Sequence, residues 1–420
     1  VVIDDETRSL AYDLDVLGGL IRHLGGDDPR RFEIIRAVDR ALDRLDPQGI
    51  RAGAGAARAE LVEVLSRPAV PSAHRVSAVG HAHIDTAWLW PLRESVRKVG
   101  RTMANVVQLA QDYPDLVFAM PQAQQMAWLK EHHPETWARV LPLIAEGRVV
   151  PVGGMWVEAD GNLPGGESLV RQLVYGKRFF RDECGVTTRG VWLPDSFGYT
   201  AAYPQLAKLA GNDWFLTQKL SWNATNAFPH HTFWWEGIDG SRIFTHFPPT
   251  DTYGGDFSVG ELLSGVKRFR EKGRATRSLY PFGYGDGGGG PHREMLERSH
   301  RLADLEGAPR IVIESPDAFF AAAQAEYPHA PVWSGELYLE LHRGTFTSQQ
   351  RTKQGNRFCE HRLRELELWA TTAAVAARAA DPGEPGAAPG APAYAYPYDE
   401  LDRIWREVLT LQFHDILPGS

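Results

Sequence analysis

Two periods of hydrophobic and polar residues alternate along this chain. Over residues 1–70 apolar side chains recur at helical spacing, beginning with Leu10, Leu14, Leu17 and Leu20-Ile21. Further helices are expected over about 31–45 and 54–65, giving an N-terminal helical region that offers an oligomer contact. From 76 to about 330, short apolar runs take turns with helical patterns. The runs at 76–79, 116–120, 149–152, 190–193, 214–217, 278–282 and 310–313 read as buried strands. Helical periodicity fills 86–113, 122–146, 167–183, 201–209, 259–272, 291–302 and 316–327. Repeated βα units imply a parallel sheet with right-handed crossovers. Seven such strands without a dinucleotide-binding fingerprint predict the α/β class and a barrel. The runs 234–237 and 241–246, joined by Asp239-Gly240, read as an inserted hairpin. Beyond 345 the pattern is helical again, over 346–380 and 398–413, with a Pro-, Gly- and Ala-rich stretch at 381–397 read as a flexible insertion. The chain thus divides into a helical region (1–70), an α/β region (71–335) and the start of a helical bundle (336–420).

Composition narrows the picture only a little. Of 420 residues 43% are apolar and 23% charged, the proportions of a soluble globular protein. A net charge of −8 argues against nucleic acid or an anionic membrane as partner, since those need clustered basic charge. No run is long and apolar enough to span a bilayer. Two distant cysteines, Cys184 and Cys359, in no metal-like spacing fit a reducing, cytoplasmic setting. The chain begins without methionine and stops just after a polar motif, which reads as a portion of a longer protein.

Polar residues gather where the apolar runs stop. The first run continues into Gly80-His81-Ala82-His83-Ile84-Asp85. Residues two apart on a strand share a face, so His81, His83 and Asp85 would project together from a strand's C-terminal end, where α/β folds carry their chemistry. Two imidazoles and a carboxylate suit a divalent cation such as zinc; hydrogen-bonded core histidines are the other reading. Trp192-Leu193-Pro194-Asp195-Ser196-Phe197-Gly198 ends another run on an aspartate, either a helix N-cap or a functional carboxylate. Residues 153–161 set Trp156, Glu158 and Asp160 between glycines, as a polar substrate pocket or an ordinary loop would. Residues 283–291 surround Asp286 with glycines. No Lys-Ser/Thr follows, which disfavours a phosphate cradle. A carboxylate on a flexible loop fits a general acid/base, and a plain loop fits equally. Phe413-His414-Asp415 closes the last helical pattern. A histidine there suits a helix C-terminus, and it also supplies the fourth ligand of a tetrahedral shell.

In this order the motifs His81-Ala82-His83-Ile84-Asp85 with Trp88, Trp156-Val157-Glu158-Ala159-Asp160, Trp192 to Gly198, Arg343-Gly344-Thr345-Phe346-Thr347-Ser348 and Phe413-His414-Asp415 resemble glycoside hydrolase family 38, the class II α-mannosidases, over about residues 76–420. Leu89-Trp90-Pro91-Leu92-Arg93-Glu94 resembles its cytosolic and bacterial branch. The resemblance implies a seven-stranded (β/α) catalytic barrel followed by a helical bundle. It implies Zn2+, or Co2+ or another divalent cation, held by His83, Asp85, Asp195 and His414, with His81 as a neighbour. Asp195 would also be the catalytic nucleophile and Asp286 the acid/base, although the Gly-rich surroundings of Asp286 differ from the double-aspartate form of other branches. Trp88 and Phe197 would line the sugar site, and Asp415 would bind sugar hydroxyls. The family's large C-terminal β-sandwich region lies outside these residues. The expected activity is that of a retaining exo-α-mannosidase, which removes terminal mannose from oligosaccharides or mannosides by double displacement with carboxyl groups about 5–5.5 Å apart. Two rivals stand beside it. One is a zinc amidohydrolase or deacetylase, which also uses H-x-H on a first barrel strand; the other is a mannose-binding fragment without turnover.

Overall fold

The computed structural model describes residues 4–379 and 394–420. Most of the expected 381–397 insertion lies outside the described residues, and 394–397 carry no regular structure. The described strands are β1 (Arg75–His81), β2 (Phe118–Gln122), β3 (Val149–Met155), β4 (Gly190–Trp192), β5 (Trp214–Leu216), β6 (Thr232–Glu236), β7 (Arg242–His246), β8 (Arg277–Phe282), β9 (Arg310–Ile313) and β10 (Val332–Ser334). All seven expected strands are among them.

The strands pair as two five-stranded sheets rather than one hydrogen-bonded cylinder. In the first, β1 runs parallel to β8 along one edge. Its other edge is shared by β9 at Arg75–Ala78 and by β2 at Gly80 and His81, and β2 continues to β3. In the second, β4, β5 and β7 are parallel. The 232–246 hairpin is therefore not an insertion, because β7 is an integral sheet strand whose antiparallel partner β6 leads on to β10. Among the described residues no ladder joins β3 to β4 or β7 to β8. At the first seam Gly153 takes a φ of 76° and lies against Trp192, so close that a Cβ there would sit 3.2 Å from the Trp192 Cβ. At the second, the imidazole Nε2 of His246 accepts from the Leu279 backbone N–H at 3.1 Å, a side chain replacing a strand partner. Both sheets still feed one buried cluster: Val79, Ala119, Val152, Trp192, Leu216, Phe244 and Leu279, one side chain from each of β1–β5, β7 and β8. Each fully buried Val, Leu or Phe side chain among them contributes about 1.5–3 kcal/mol.

Of the N-terminal helices Asp5–His23, Pro29–Leu42 and Ile50–Leu65, the first two begin at side-chain caps where Asp4 and Asp28 accept main-chain N–H groups. They are no loose appendage, for Leu10, Leu17 and Leu20 share a core with Val76, Leu262 and Met295. Buried Asp13 binds Arg58 at 2.8 Å and Arg301 at 2.6 Å, tying the first helix to the third and to the sheet's outer helices.

Prolines redraw two expected helices. The 122–146 pattern splits into Ala123–His132 and Pro134–Ala145, because Pro134 cannot donate into a continuing helix and begins a new one. The helix expected from residue 86 starts at Leu92, behind the N-cap Pro91, and leaves 86–91 as loop. After the long helix Gln350–Ala379, the last helix Tyr398–Leu411 sinks Trp405, Leu409 and the following Phe413 into the core beside β3 and β4. Gln172 fastens it by donating to the Leu409 carbonyl at 2.8 Å.

Candidate active site

β1 ends at His81, and the next four residues run on as an extended segment held by its neighbours. The Ile84 carbonyl accepts from Gln122 and Gln125, at 3.2 and 2.7 Å. The Asp85 carbonyl accepts from Ser95 Oγ at 2.8 Å, and the Asp85 N–H donates to the Asp286 carbonyl at 3.1 Å. This fixes His83 and Asp85 at the sheet's C-terminal rim. Asp195 follows β4 in a turn pinned by Ser196 Oγ, which donates to the Ala159 carbonyl at 2.9 Å. It is no helix N-cap, since the next helix starts at Tyr203 behind Ala202. His414 arrives from the chain's far end through a bridge between Ala159 and Phe413.

These four side chains converge. One ligand-type atom from each of His83, Asp85, Asp195 and His414 lies within 4.8 Å of the others. His83 Nε2 is 3.0 Å from Asp85 Oδ1 and 3.8 Å from Asp195 Oδ2. His414 Nε2 is 3.6 Å from both carboxylates. The imidazoles stack at 5.4 Å, and all four residues are buried. Glu158 backs both rings, with its carboxylate 3.3 Å from His83 Nδ1 and its backbone carbonyl accepting from His414 Nδ1 at 2.7 Å.

The charges are strongly coupled. Burial pushes the carboxyl of Asp195 up, but His414, Lys219 and His83 outweigh it and hold that group far below the usual carboxylate range. Burial likewise opposes the charge on His414, yet its contacts with Asp195 and Asp85 raise it to about 10. For His83 burial is overcome by Glu158 and Asp85, and its pKa stands well above the usual imidazole value. Asp415 is pushed up to about 6 by burial, against the pull of His414. In spite of this charge, His83 Nε2, His414 Nε2 and Asp85 Oδ1 make no hydrogen bond. Buried polar atoms without partners are costly, and here three point at one another. A divalent cation satisfies that donor set, and imidazole and carboxylate are the ligands zinc prefers.

Other expected residues fall around this cluster. His81 neighbours His83 and Glu158 but is not one of the four: Trp192 Nε1 donates to its Nε2 at 3.3 Å, its Nδ1 faces the Tyr253 carbonyl at 3.3 Å, and burial lowers its pKa to about 3. Both its nitrogens are engaged, although strand alternation put it on the shared face. The Phe197 ring lies 5.8 Å from that of His414, and Asp415 Oδ2 is 4.0 Å from His414 Nε2. Asp286 accepts from the Tyr253 hydroxyl at 2.9 Å, and Tyr253 feels the charges of Asp195, Asp286 and Asp85 together. The loop around Asp286 is no slack tether, because Tyr284 and Gly290 exchange two main-chain hydrogen bonds at 3.0 and 2.8 Å. Trp88 is 40% exposed and packs on Trp90 at 5.8 Å, with no described contact to the four central residues. Of the acidic pair in 153–161, only Glu158 reaches the cluster; Asp160 caps its own loop at the N–H groups of Asn162 and Leu163.

Two residues at the site had no motif to announce them. Lys219, buried just after β5, bonds Asp195 Oδ1 and lies over the rings of Phe197 and Trp222 at 5.1 and 4.0 Å. Tyr253 packs on His83 at 4.7 Å. Position at the rim where strands end was the available signal for Lys219.

Comparison with known proteins agrees with this geometry. Residues 73–336 match the glycosyl hydrolases family 38 N-terminal domain, and residues 340–420 match the alpha mannosidase middle domain. The chain is 43% identical to Alpha-mannosidase 2C1 of Homo sapiens over 419 residues, 100% of this chain and 39% of that protein. It is 38% identical to an Alpha-mannosidase of Saccharomyces cerevisiae over 438 residues, 99% of this chain and 39% of that protein. The chain thus spans about two fifths of these curated relatives. The crystal structure of an alpha-mannosidase from Enterococcus faecalis superimposes with a TM-score of 0.68 at 21% identity, covering 82% of this chain and 39% of that one. With a domain match over most of its length and full-length similarity to these relatives, the chain belongs to glycosyl hydrolase family 38.

Proposed function

We propose that this chain carries the catalytic core of a retaining exo-α-mannosidase that removes terminal α-mannosyl residues from oligosaccharides or mannosides. The observation that carries the reading is the buried His83–Asp85–Asp195–His414 cluster, whose inward-facing nitrogens and carboxylate oxygen lack partners, in a chain of this family. In this reading residues 71–335 form a seven-stranded (β/α) barrel, with the β3/β4 and β7/β8 seams closed by side chains. The seven-strand inner cluster supports that. Residues 336–420 begin the helical bundle, in line with the second family match.

His83, Asp85, Asp195 and His414 would hold Zn2+, or Co2+ or another divalent cation. Such a cation, when bound, grips neighbouring sugar hydroxyls and orients the ring. To hold the cation, both imidazoles would have to be neutral at Nε2. Asp195 attacks the anomeric carbon. Lys219, bonded to Oδ1, keeps that carboxylate ionised and fixed. Asp286 protonates the departing oxygen, then takes a proton from the water that hydrolyses the glycosyl–Asp195 ester. Phe197 and Trp88 line the sugar site and Asp415 accepts from hydroxyls. No described helix is long and apolar enough to cross a membrane.

The test is metal analysis with hydrolysis of an aryl α-mannoside by the full-length protein, before and after chelation. Hydrolysis lost with the metal and restored by zinc or cobalt supports the reading. Undiminished hydrolysis by metal-free protein overturns the metal's part. Mannose binding without hydrolysis makes the protein a lectin-like relative.

A further inference from the structure

A cleft of about 650 Å³ is lined in part by Phe228, Phe247, Phe269 and His231, and at its Phe269 end it reaches His74, just ahead of β1. Two segments connect it to the cluster. Lys219 bonds Asp195 while Ser221, two residues on, lines the cleft; Tyr253 bonds Asp286 while Asp251, two residues back, lines it too. Trp222 Nε1 donates to the Asp251 carbonyl at 3.3 Å and ties the segments together.

The rim of this cleft is cationic in a chain of net charge −8. Lys267, Arg268, Arg270 and Lys272 all line it. Arg268 is spent on Asp251, at 3.0 Å, and on the carbonyls of Pro249 and Thr250. Lys272 reaches the Lys267 carbonyl. Among the described residues no carboxylate forms an ion pair with Lys267, Arg270 or Lys272. His231 adds a neutral donor. Its Nδ1 accepts the Arg270 backbone N–H at 3.1 Å, which leaves the ring proton on Nε2. That nitrogen has no hydrogen-bond partner among the described residues, although His231 is only 8% exposed. Ser221 and Ser264 contribute hydroxyls. Cations without an ion-pair partner, neutral donors and an aromatic lining are what an oxyanion on a partly apolar carrier requires.

We propose that this cleft is an oxyanion subsite that takes a phosphate, sulfate or carboxylate group carried on the leaving-group side of the mannoside. The proposal rests on the mannosidase reading for its substrate, and on the cleft alone for its anion. A free anion would satisfy the same chemistry, so the test separates the two sources. The full-length protein and its Lys267→Ala/Arg270→Ala variant are compared on two phenyl α-mannosides of matched reactivity, one with a propanoate tail and the other with the propanamide. Sulfate binding is measured alongside by calorimetry at low ionic strength. The expected result is about a tenfold preference in kcat/KM for the propanoate. The preference is abolished in the variant and weakened by salt, while hydrolysis of the propanamide is kept. Sulfate binding that the variant loses, with no propanoate preference, supports the site with a free anion as its occupant. Sulfate binding without hydrolysis of either mannoside supports the site and overturns the mannosidase reading. Hydrolysis of both mannosides with neither preference nor sulfate binding overturns the proposal and leaves the mannosidase reading standing.

Discussion

The backbone carbonyl of Glu158 accepts the Nδ1 proton of His414 at 2.7 Å. The carboxylate of the same residue stands 3.3 Å from His83 Nδ1, so one residue faces the outer nitrogen of both histidines and both Nε2 atoms turn inward. Partners of this kind fix ring orientation and basicity in metal sites. Glu158→Gln should therefore weaken metal binding about 10- to 100-fold, measured by competition with a chromophoric chelator. The loss comes from the His83 side, because the carbonyl that holds His414 is untouched. Unchanged affinity would contradict this role.

Tyr253 separates proton transfer from metal binding. Its hydroxyl donates to Asp286 at 2.9 Å while its ring packs on His83. Tyr253→Phe keeps the ring and removes the donor. The expected result is a kcat lowered about tenfold, with metal content unchanged and KM nearly so. A variant with full kcat would remove Asp286 from its assigned position.

Asp195→Asn preserves shape and removes the nucleophile. It should lower kcat by roughly three orders of magnitude or more and weaken the metal site, while thermal unfolding still shows a folded protein. Near-normal turnover would exclude covalent catalysis at this residue.

Burial pushes the carboxyl of Glu271 up to about 7 from 4.5, against the His231 and Thr232 amides that favour its anion. Between those two values the folded chain binds more protons than the unfolded one, so this group's stabilising share is present below pH 4.5 and lost as pH rises through 7. Relative to Glu271→Gln, the wild type should lose about 2–3 kcal/mol between pH 5 and pH 8, read from denaturant unfolding at each pH. A difference between the two proteins that does not vary with pH would contradict it.

The central cluster was legible because each of its members ends an apolar run or helical pattern, and strand ends converge on one rim. His83 and Asp85 follow the end of β1 in one sheet, and Asp195 follows the end of β4 in the other. His414 was legible as a helix-end histidine that could complete a four-ligand shell, but not as a neighbour of His83, since the Ala159–Phe413 bridge that brings it in has no local signature. Lys219 and Tyr253 were missed for the same reason: each is a single polar residue outside any motif, with its partner, Asp195 or Asp286, on another segment. Helix starts failed where Pro91 and Pro134 outranked hydrophobic period. β7 was misjudged because the Asp239-Gly240 turn identified a hairpin but said nothing of which edge β5 would take. At the two seams where the sheets part stand the backbone of Gly153 and the side chain of His246, neither of which alters an apolar pattern.

The most direct test of the account is covalent trapping. The full-length metal-loaded protein would be incubated with a fluorinated α-mannosyl fluoride, digested, and the labelled peptide sequenced by mass spectrometry. The account predicts one mannosyl label, on Asp195, with hydrolysis of an aryl α-mannoside blocked in step. A label on another carboxylate, or continued turnover without any label, would contradict it.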